Sequence, residues 1–402
     1  MTTLTTFSNC RVCKDGELVD ESFVVNSETG LLLKRGTYTG GEIIDLGEAI
    51  VAPGFIEIQT NGMLGFHFSN FNNADQYRND LSKVQRYLPS TGVTSFYPTL
   101  STVPGELYSK ILPHLAERDT TPSTSSDGAS ILGAHVEGPF LQPTRHGAHD
   151  PAQFKTPVAP VSAASVYGEG LDAVKLATLA PELPGADSLI TDLRRANVRV
   201  ALGHSSATYD QGIHALRLGA TGLTHVFNCM NPLHHRAPGL AGLMTVPDGV
   251  NSLNAPFFGF IADGVHLHSA AATMAFRANP QRAILVTDST ELAGVPDGTY
   301  SGNPWLPKSQ TKIGIRVVIE GTDTLIGSCS TMDECVKNLV NWSGCSLANA
   351  VRCATQNPAD FMGLSDRGRI EEGLRADFTV LSDSGEILQT WIAGHKVWEK
   401  EQ

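Results

Sequence analysis

The feature that most constrains this chain is the recurrence of eight short apolar, strand-like runs, mostly separated by helix-like stretches. They are Phe55 to Thr60, Thr94 to Leu100, Ile131 to Glu137, Leu176 to Ala180, Val198 to His204, Leu223 to Asn228, Phe257 to Ala262 and Ile284 to Asp288. Strands alternating with helices imply a parallel α/β sheet with both faces covered. Eight such units in roughly 310 residues match the size and repeat of a (β/α)8 TIM-type barrel. The intervening helices carry their own signals: Thr208 can cap a stretch bearing Ile213, Leu216 and Leu218, and Gly219 ends it. The Ser/Thr/Pro-rich stretch Asp119 to Ser130 falls between the second and third units and reads as a surface loop.

The two ends are written differently. Residues 1 to about 50 are β-prone runs broken by Asp15-Gly16, Thr29-Gly30 and Gly40-Gly41, which is hairpin punctuation. The tail resumes that style in Asp377 to Leu381, Ile387 to Ile392 and Lys396 to Trp398. Both ends are therefore expected in one small β-domain, giving a division into 1–53, 54–366 and 367–402.

Of the residues, 41% are hydrophobic and 17% charged, enough to bury a large core. The net charge of −12 argues against nucleic-acid or anionic-membrane partners, but a small anionic substrate could be met by local cations. Met1 to Asn9 has neither a basic segment nor an apolar run, and no stretch approaches the roughly 18 apolar residues of a membrane span. Seven scattered cysteines read as reduced thiols in a cytoplasmic protein. Cys10 and Cys13, a CxxC without a second pair, read as two strand thiols rather than a zinc ribbon.

In a barrel the C-terminal strand ends carry the chemistry, and alternation assigns the inward face. Val198, Val200, Leu202 and His204 share one face, as do Leu223 with His225, and Ile284 and Val286 with Asp288. Each stripe ends in a polar residue, the third strand ends in Glu137, and the first ends in Gln59 and Asn61. Glu137, His204 and His225 offer a carboxylate and two imidazoles, a set suited to a divalent metal with an open position for water, zinc by default. Asp288 faces the same mouth as a candidate catalytic carboxylate.

Several segments carry a resemblance. Val51-Ala52-Pro53-Gly54-Phe55-Ile56-Glu57, His135-Val136-Glu137-Gly138-Pro139-Phe140, Gly147-Ala148-His149, Gly203-His204-Ser205, Thr224-His225-Val226-Phe227-Asn228 and Ile261-Ala262-Asp263-Gly264-Val265-His266 are among them. With Val286-Thr287-Asp288 and Gly373-Leu374-Arg375-Ala376-Asp377-Phe378, they resemble the N-acetylglucosamine-6-phosphate deacetylases of the amidohydrolase superfamily over essentially the whole chain. The resemblance implies a barrel plus β-sandwich, a metal on Glu137, His204 and His225, and Asp288 as proton carrier. Substrate contacts carry over to Ala148, His149, Asn228, Cys229, Arg236, the segment Asp263 to His266, and Ser330, Thr331 and Met332. His149 would help hold the oxyanion, and His266 and Arg236 would grip the phosphate of a phosphorylated amino sugar. Arg236 would reach across a homodimer interface.

Superfamily members with two metals carry His-x-His where this chain has Gln59-Thr60-Asn61, so one metal is expected, with Gln59 and Asn61 as vestigial second-metal positions. The fourth strand end, Leu179-Ala180-Pro181-Glu182, lacks the metal-bridging lysine of some relatives. Further departures are His67 where aspartate is common, Cys229 where alanine is usual, and Ser289 after the aspartate. The competing readings are another amidohydrolase, such as a deaminase or cyclic-amide hydrolase, and a catalytically silent barrel scaffold.

Overall fold

The computed structural model describes residues 3–33, 41–249, 253–302 and 308–401. At its centre a parallel sheet curls into a nearly closed barrel. Its strands are β1 (Phe55–Thr60), β2 (Val93–Ser101), β3 (Ala134–Glu137), β4 (Val174–Leu179), β5 (Arg199–Leu202), β6 (Gly222–Leu223), β7 (Phe257–Phe260) and β8 (Ala283–Leu285). Each of the eight expected runs overlaps one of them, the sixth by Leu223 alone. The third run is broken: Ser130–Ile131 pairs with β2, and the chain then turns at Gly133, φ +110°, into β3. Runs five, six and eight leave the ladder early, because their last residues turn out of extended conformation to build the mouth.

Packing corrects the assignment of faces. Ile56, Ile58, Tyr97, Leu176, Ala201, Phe257, Ile284 and Val286 form one cluster inside the barrel, with Phe361 beside them. Val198, Val200, Leu202 and Leu223 belong instead to the layer between barrel and helices, with Leu189, Ile190 and Leu193. The stripe in β8 points inward as expected; those in β5 and β6 point outward. Burial on either face stabilises by about 1.5–3 kcal/mol per large side chain, so hydrophobicity alone does not distinguish inside from outside when both faces are covered. Thr208 caps the helix Tyr209–Leu218 and Gly219 ends it, as read from the sequence.

Both termini contribute to a second unit. Glu17–Asp20, Arg11–Lys14, Ile50–Pro53, Phe378–Leu381, Ile387–Ile392 and His395–Glu399 make a six-stranded sheet, and Leu31–Leu33, Phe23–Asn26, Leu4–Ser8 and Glu42–Asp45 a four-stranded one. Phe7, Phe23, Phe378 and Trp391 pack between them, with ring centroids 5.0 Å apart for Phe7–Phe23 and 5.5 Å for Phe378–Trp391. Asp15 and Gly16 both adopt positive φ, the requirement of a tight hairpin, and Gly40 lies outside the described residues. Cys13 is a buried strand thiol, as expected, but Cys10, also buried, lies just before that strand rather than in it; burial pushes Cys10 up to about 11 and Cys13 up to about 12.

One element has no counterpart in the sequence reading. Gly298–Tyr300, Gln310–Ile313, Arg316–Ile319 and Leu325–Ser328 form an antiparallel sheet between β8 and the helix Met332–Ser343. It is tied to the mouth where the Thr290 N–H donates to the Ser328 carbonyl at 2.9 Å. Among the described residues no helix is long and apolar enough to cross a membrane.

Candidate active site

Glu137 ends β3 and points inward by simple alternation, two residues beyond the buried His135. His204 and His225 reach it by another route. Both follow strands whose alternation would carry them toward the helices, and both have left-handed backbone, φ +48° and +28°. That conformation is uncommon for a residue with a β-carbon, and here it aims both imidazoles into the mouth. His225 Nε2 lies 3.0 Å and His204 Nε2 3.1 Å from Glu137 Oε1, and the two imidazole nitrogens are 3.1 Å apart. All three residues are buried.

The tautomer of His204 follows from its other nitrogen. Nδ1 lies 2.8 Å from the Arg145 carbonyl, which can only accept, so Nδ1 carries a proton and, in the neutral ring, Nε2 is bare. A bare nitrogen then faces a carboxylate oxygen and a second imidazole nitrogen. The cluster requires positive charge. Burial opposes ionisation of both groups, yet contacts with Cys229 and Glu137 raise His204 well above its ordinary value, and His149, His204 and His225 hold Glu137 well below its own. A divalent cation meets the same demand without protonating the rings. Zinc bonds of about 2.0–2.1 Å would place tetrahedral ligand atoms about 3.3 Å apart, close to the separations here. Among the described residues this is the one group of three or more His, Cys, Asp or Glu side chains with such geometry.

Around this cluster the donors are fixed. His149 Nδ1 accepts the Thr102 N–H at 3.2 Å, so its Nε2–H points toward Glu137 Oε2, 3.5 Å away; burial lowers its pKa and keeps it a neutral donor. Asp288, φ +47°, accepts from Asn61 Nδ2 at 2.8 Å and Gln59 Nε2 at 3.4 Å, while Gln59 Nε2 also donates to Glu137 Oε1 at 3.1 Å. The two amides therefore present N–H groups to carboxylates. Asp263 Oδ1 accepts the Val265 and His266 amides at 2.8 Å, and its Oδ2 holds His266 Nδ1 at 2.7 Å. Although burial opposes it, this contact raises the His266 pKa.

The remaining expected residues are more dispersed. Half-buried Asn228 donates to the His225 carbonyl at 3.4 Å. Half-buried Cys229 is close enough to Gly147 that a β-carbon there would come within 2.8 Å of its sulfur and 3.2 Å of His204 Cε1. Ala148 is exposed beside it. Arg236 lies in an exposed turn with no ion pair among the described residues. Ser330 turns its hydroxyl to Glu334, Thr331 caps the helix Met332–Ser343, and Met332 is buried in the core. His67 sits in a buried hairpin pairing Gly62–Met63 with Phe66–His67, its Nδ1 accepting the Ser69 N–H. Ser289 donates to the Ser330 carbonyl, and Glu182 fastens the turn after β5 through Ser205 and Ser206.

Two buried polar residues escaped the sequence reading. His135 bonds Thr99 at 3.1 Å and Thr178 at 2.8 Å, and Thr178 bonds Thr224 at 2.7 Å, forming a polar layer beneath the cluster. Its place on the Glu137 face was a usable signal. Glu57 accepts the Gln59 and Thr287 amides, and burial pushes its carboxyl up to about 8.

The amidohydrolase family model matches residues 50–397. An N-acetylglucosamine-6-phosphate deacetylase of Danio rerio is 38% identical over 409 residues, covering 99% of this chain and 97% of the relative. The structure of that enzyme from Thermotoga maritima superposes with a TM-score of 0.81 at 26% identity, covering 98% of this chain and 100% of the other. A mutant of the Mycobacterium smegmatis enzyme, solved in complex with N-acetyl-D-glucosamine-6-phosphate, gives 0.81 at 28% identity over 98% and 99%. The chain thus belongs to the amidohydrolase family and, within it, to the N-acetylglucosamine-6-phosphate deacetylases.

Proposed function

We propose that this protein hydrolyses the acetamide of N-acetyl-D-glucosamine 6-phosphate to D-glucosamine 6-phosphate and acetate, with Glu137, His204 and His225 holding one divalent metal, zinc by donor type. The observation that carries the reading is the convergence of two buried imidazole nitrogens, at 3.1 and 3.0 Å, on one carboxylate oxygen of Glu137. The active barrel would span 54–366, with 1–53 and 367–402 as the two parts of the sandwich.

An amide is a poor electrophile with a poor leaving group, so a nucleophile must be made near neutral pH and the departing amine protonated. A cation bound here would lower the pKa of a water and polarise the acetyl carbonyl. Asp288, held by Asn61 and Gln59, accepts the proton of the attacking water and returns it to the amine nitrogen. The His149 Nε2–H stabilises the oxyanion, a role worth about 3 kcal/mol. His266, oriented by Asp263, grips the 6-phosphate together with Arg236 from the second subunit of a homodimer, while Asn228 and the segment at Ala148 position the sugar. Cys229, Ser330, Thr331 and Met332 complete the substrate contacts, Met332 through its backbone because its side chain is in the core. The test is acetate release from N-acetylglucosamine 6-phosphate by purified protein of known metal content; absence of acetate from metal-replete protein would refute the reading.

A further inference from the structure

Among the described residues, strand ladders join every neighbouring pair from β1 round to β8, but none joins β8 back to β1. The chain following β8 nevertheless carries Asp288, a non-glycine residue in left-handed conformation. Such backbone persists only where its surroundings over-determine it. Two main-chain bonds cross this seam, Asp288 N–H to the Gln59 carbonyl and Asn61 N–H to the Ser289 carbonyl, both 2.9 Å. Besides the side-chain amides of Asn61 and Gln59, which reach Asp288 itself, the seam is stitched by Glu57. Its carboxyl is 1% exposed and accepts the Gln59 N–H at 2.9 Å on one oxygen and the Thr287 N–H at 3.1 Å on the other. Thr287 immediately precedes Asp288, and Gln59 supplies both the carbonyl that takes the Asp288 amide and the side chain that reaches Asp288 Oδ1.

We propose that Glu57 is the positioning residue for Asp288, its carboxyl replacing the missing ladder and fixing the residue on either side of the Gln59–Asp288 contact. The assignment rests on Asp288 being the proton carrier. Glu57 reaches the metal-ligating atoms only through Gln59, whose side chain also donates to Glu137 Oε1, whereas it fixes both Gln59 and Thr287 beside Asp288, so its effect should fall more on turnover than on metal or substrate binding.

Glu57→Gln keeps the shape but sets an NH2 against one of the two backbone N–H groups, breaking one bond. It is expected to lower kcat about tenfold or more, since small misplacements of a reacting group are costly, while KM stays within about twofold and metal content is unchanged. Glu57→Asp keeps both acceptors on a stem one methylene shorter and should recover much of the loss; packing alone would favour Gln over Asp. In an Asp288→Asn background, Glu57→Gln should cost nothing further. An equal loss in both backgrounds, a Gln variant better than Asp, or wild-type kcat in Glu57→Gln would overturn the positioning role while leaving the Asp288 assignment standing. Near-normal turnover by Asp288→Asn alone would remove both. Should Glu57→Gln fail to fold, the Asp variant in the two backgrounds gives the same cycle.

Discussion

A neutral His204, its Nδ1–H taken by the Arg145 carbonyl, would set a bare nitrogen 3.1 Å from a carboxylate oxygen, which is repulsive unless a positive charge lies between them. Asp288 stands beside the cluster on two amide donors and makes none of its contacts. Asp288→Asn should therefore keep the fold and the metal content while turnover falls by about two to four orders of magnitude, the usual weight of a general acid–base. His266 yields a pH prediction. Its pKa in the folded protein is raised by Asp263, so the pair's stabilisation is fully present below the unfolded value of about 6.5 and is lost as pH rises through the folded value. The melting temperature of wild type relative to His266→Gln should accordingly narrow from acid toward alkaline pH; a gap that widens would contradict the assignment. At this scale the grouping of Glu137, His204 and His225 was legible from type and spacing, whereas Glu57 and His135, though part of the quoted segments, were given no role because a buried polar residue in an apolar run looks like a packing residue until its partners are known.

The elements show why spacing alone misjudged orientation. β5 and β6 are covered on both faces, so their alternating stripes are apolar whichever way they point. A turn of φ at His204 and His225 then reverses the side chain at the end, a change that leaves no trace in the order of residues. β3 and β8 keep their alternation up to Glu137 and Val286, and there the sequence reading holds. The loop after β3 is constrained by Gly147, at φ +58° against Cys229 and His204. Gly147→Ala should displace the His204 ring and weaken metal retention, read as faster metal loss to a chelator. Thr208→Ala removes the cap of Tyr209–Leu218 and should cost about 1 kcal/mol in denaturant unfolding.

The whole molecule is a barrel clasped by a sandwich that draws on both chain ends, and that plan was legible because turn dipeptides and short β-runs recur at both termini. The antiparallel sheet at Gly298–Ser328 was not, since it interrupts the βα rhythm after the eighth strand has already completed the count. Arg236, exposed and without an ion pair among the described residues, suits a role across a dimer. Arg236→Ala should raise KM for the phosphorylated sugar about tenfold or more, with little change for the unphosphorylated one. Equal effects on both would remove its phosphate role. The most direct test of the metal centre is to strip the protein with chelator and titrate divalent metal back while measuring bound ion and acetate release together. Both should rise in step and level off at one ion per chain, and Glu137→Gln should show neither; full acetate release from protein containing no metal would contradict the account.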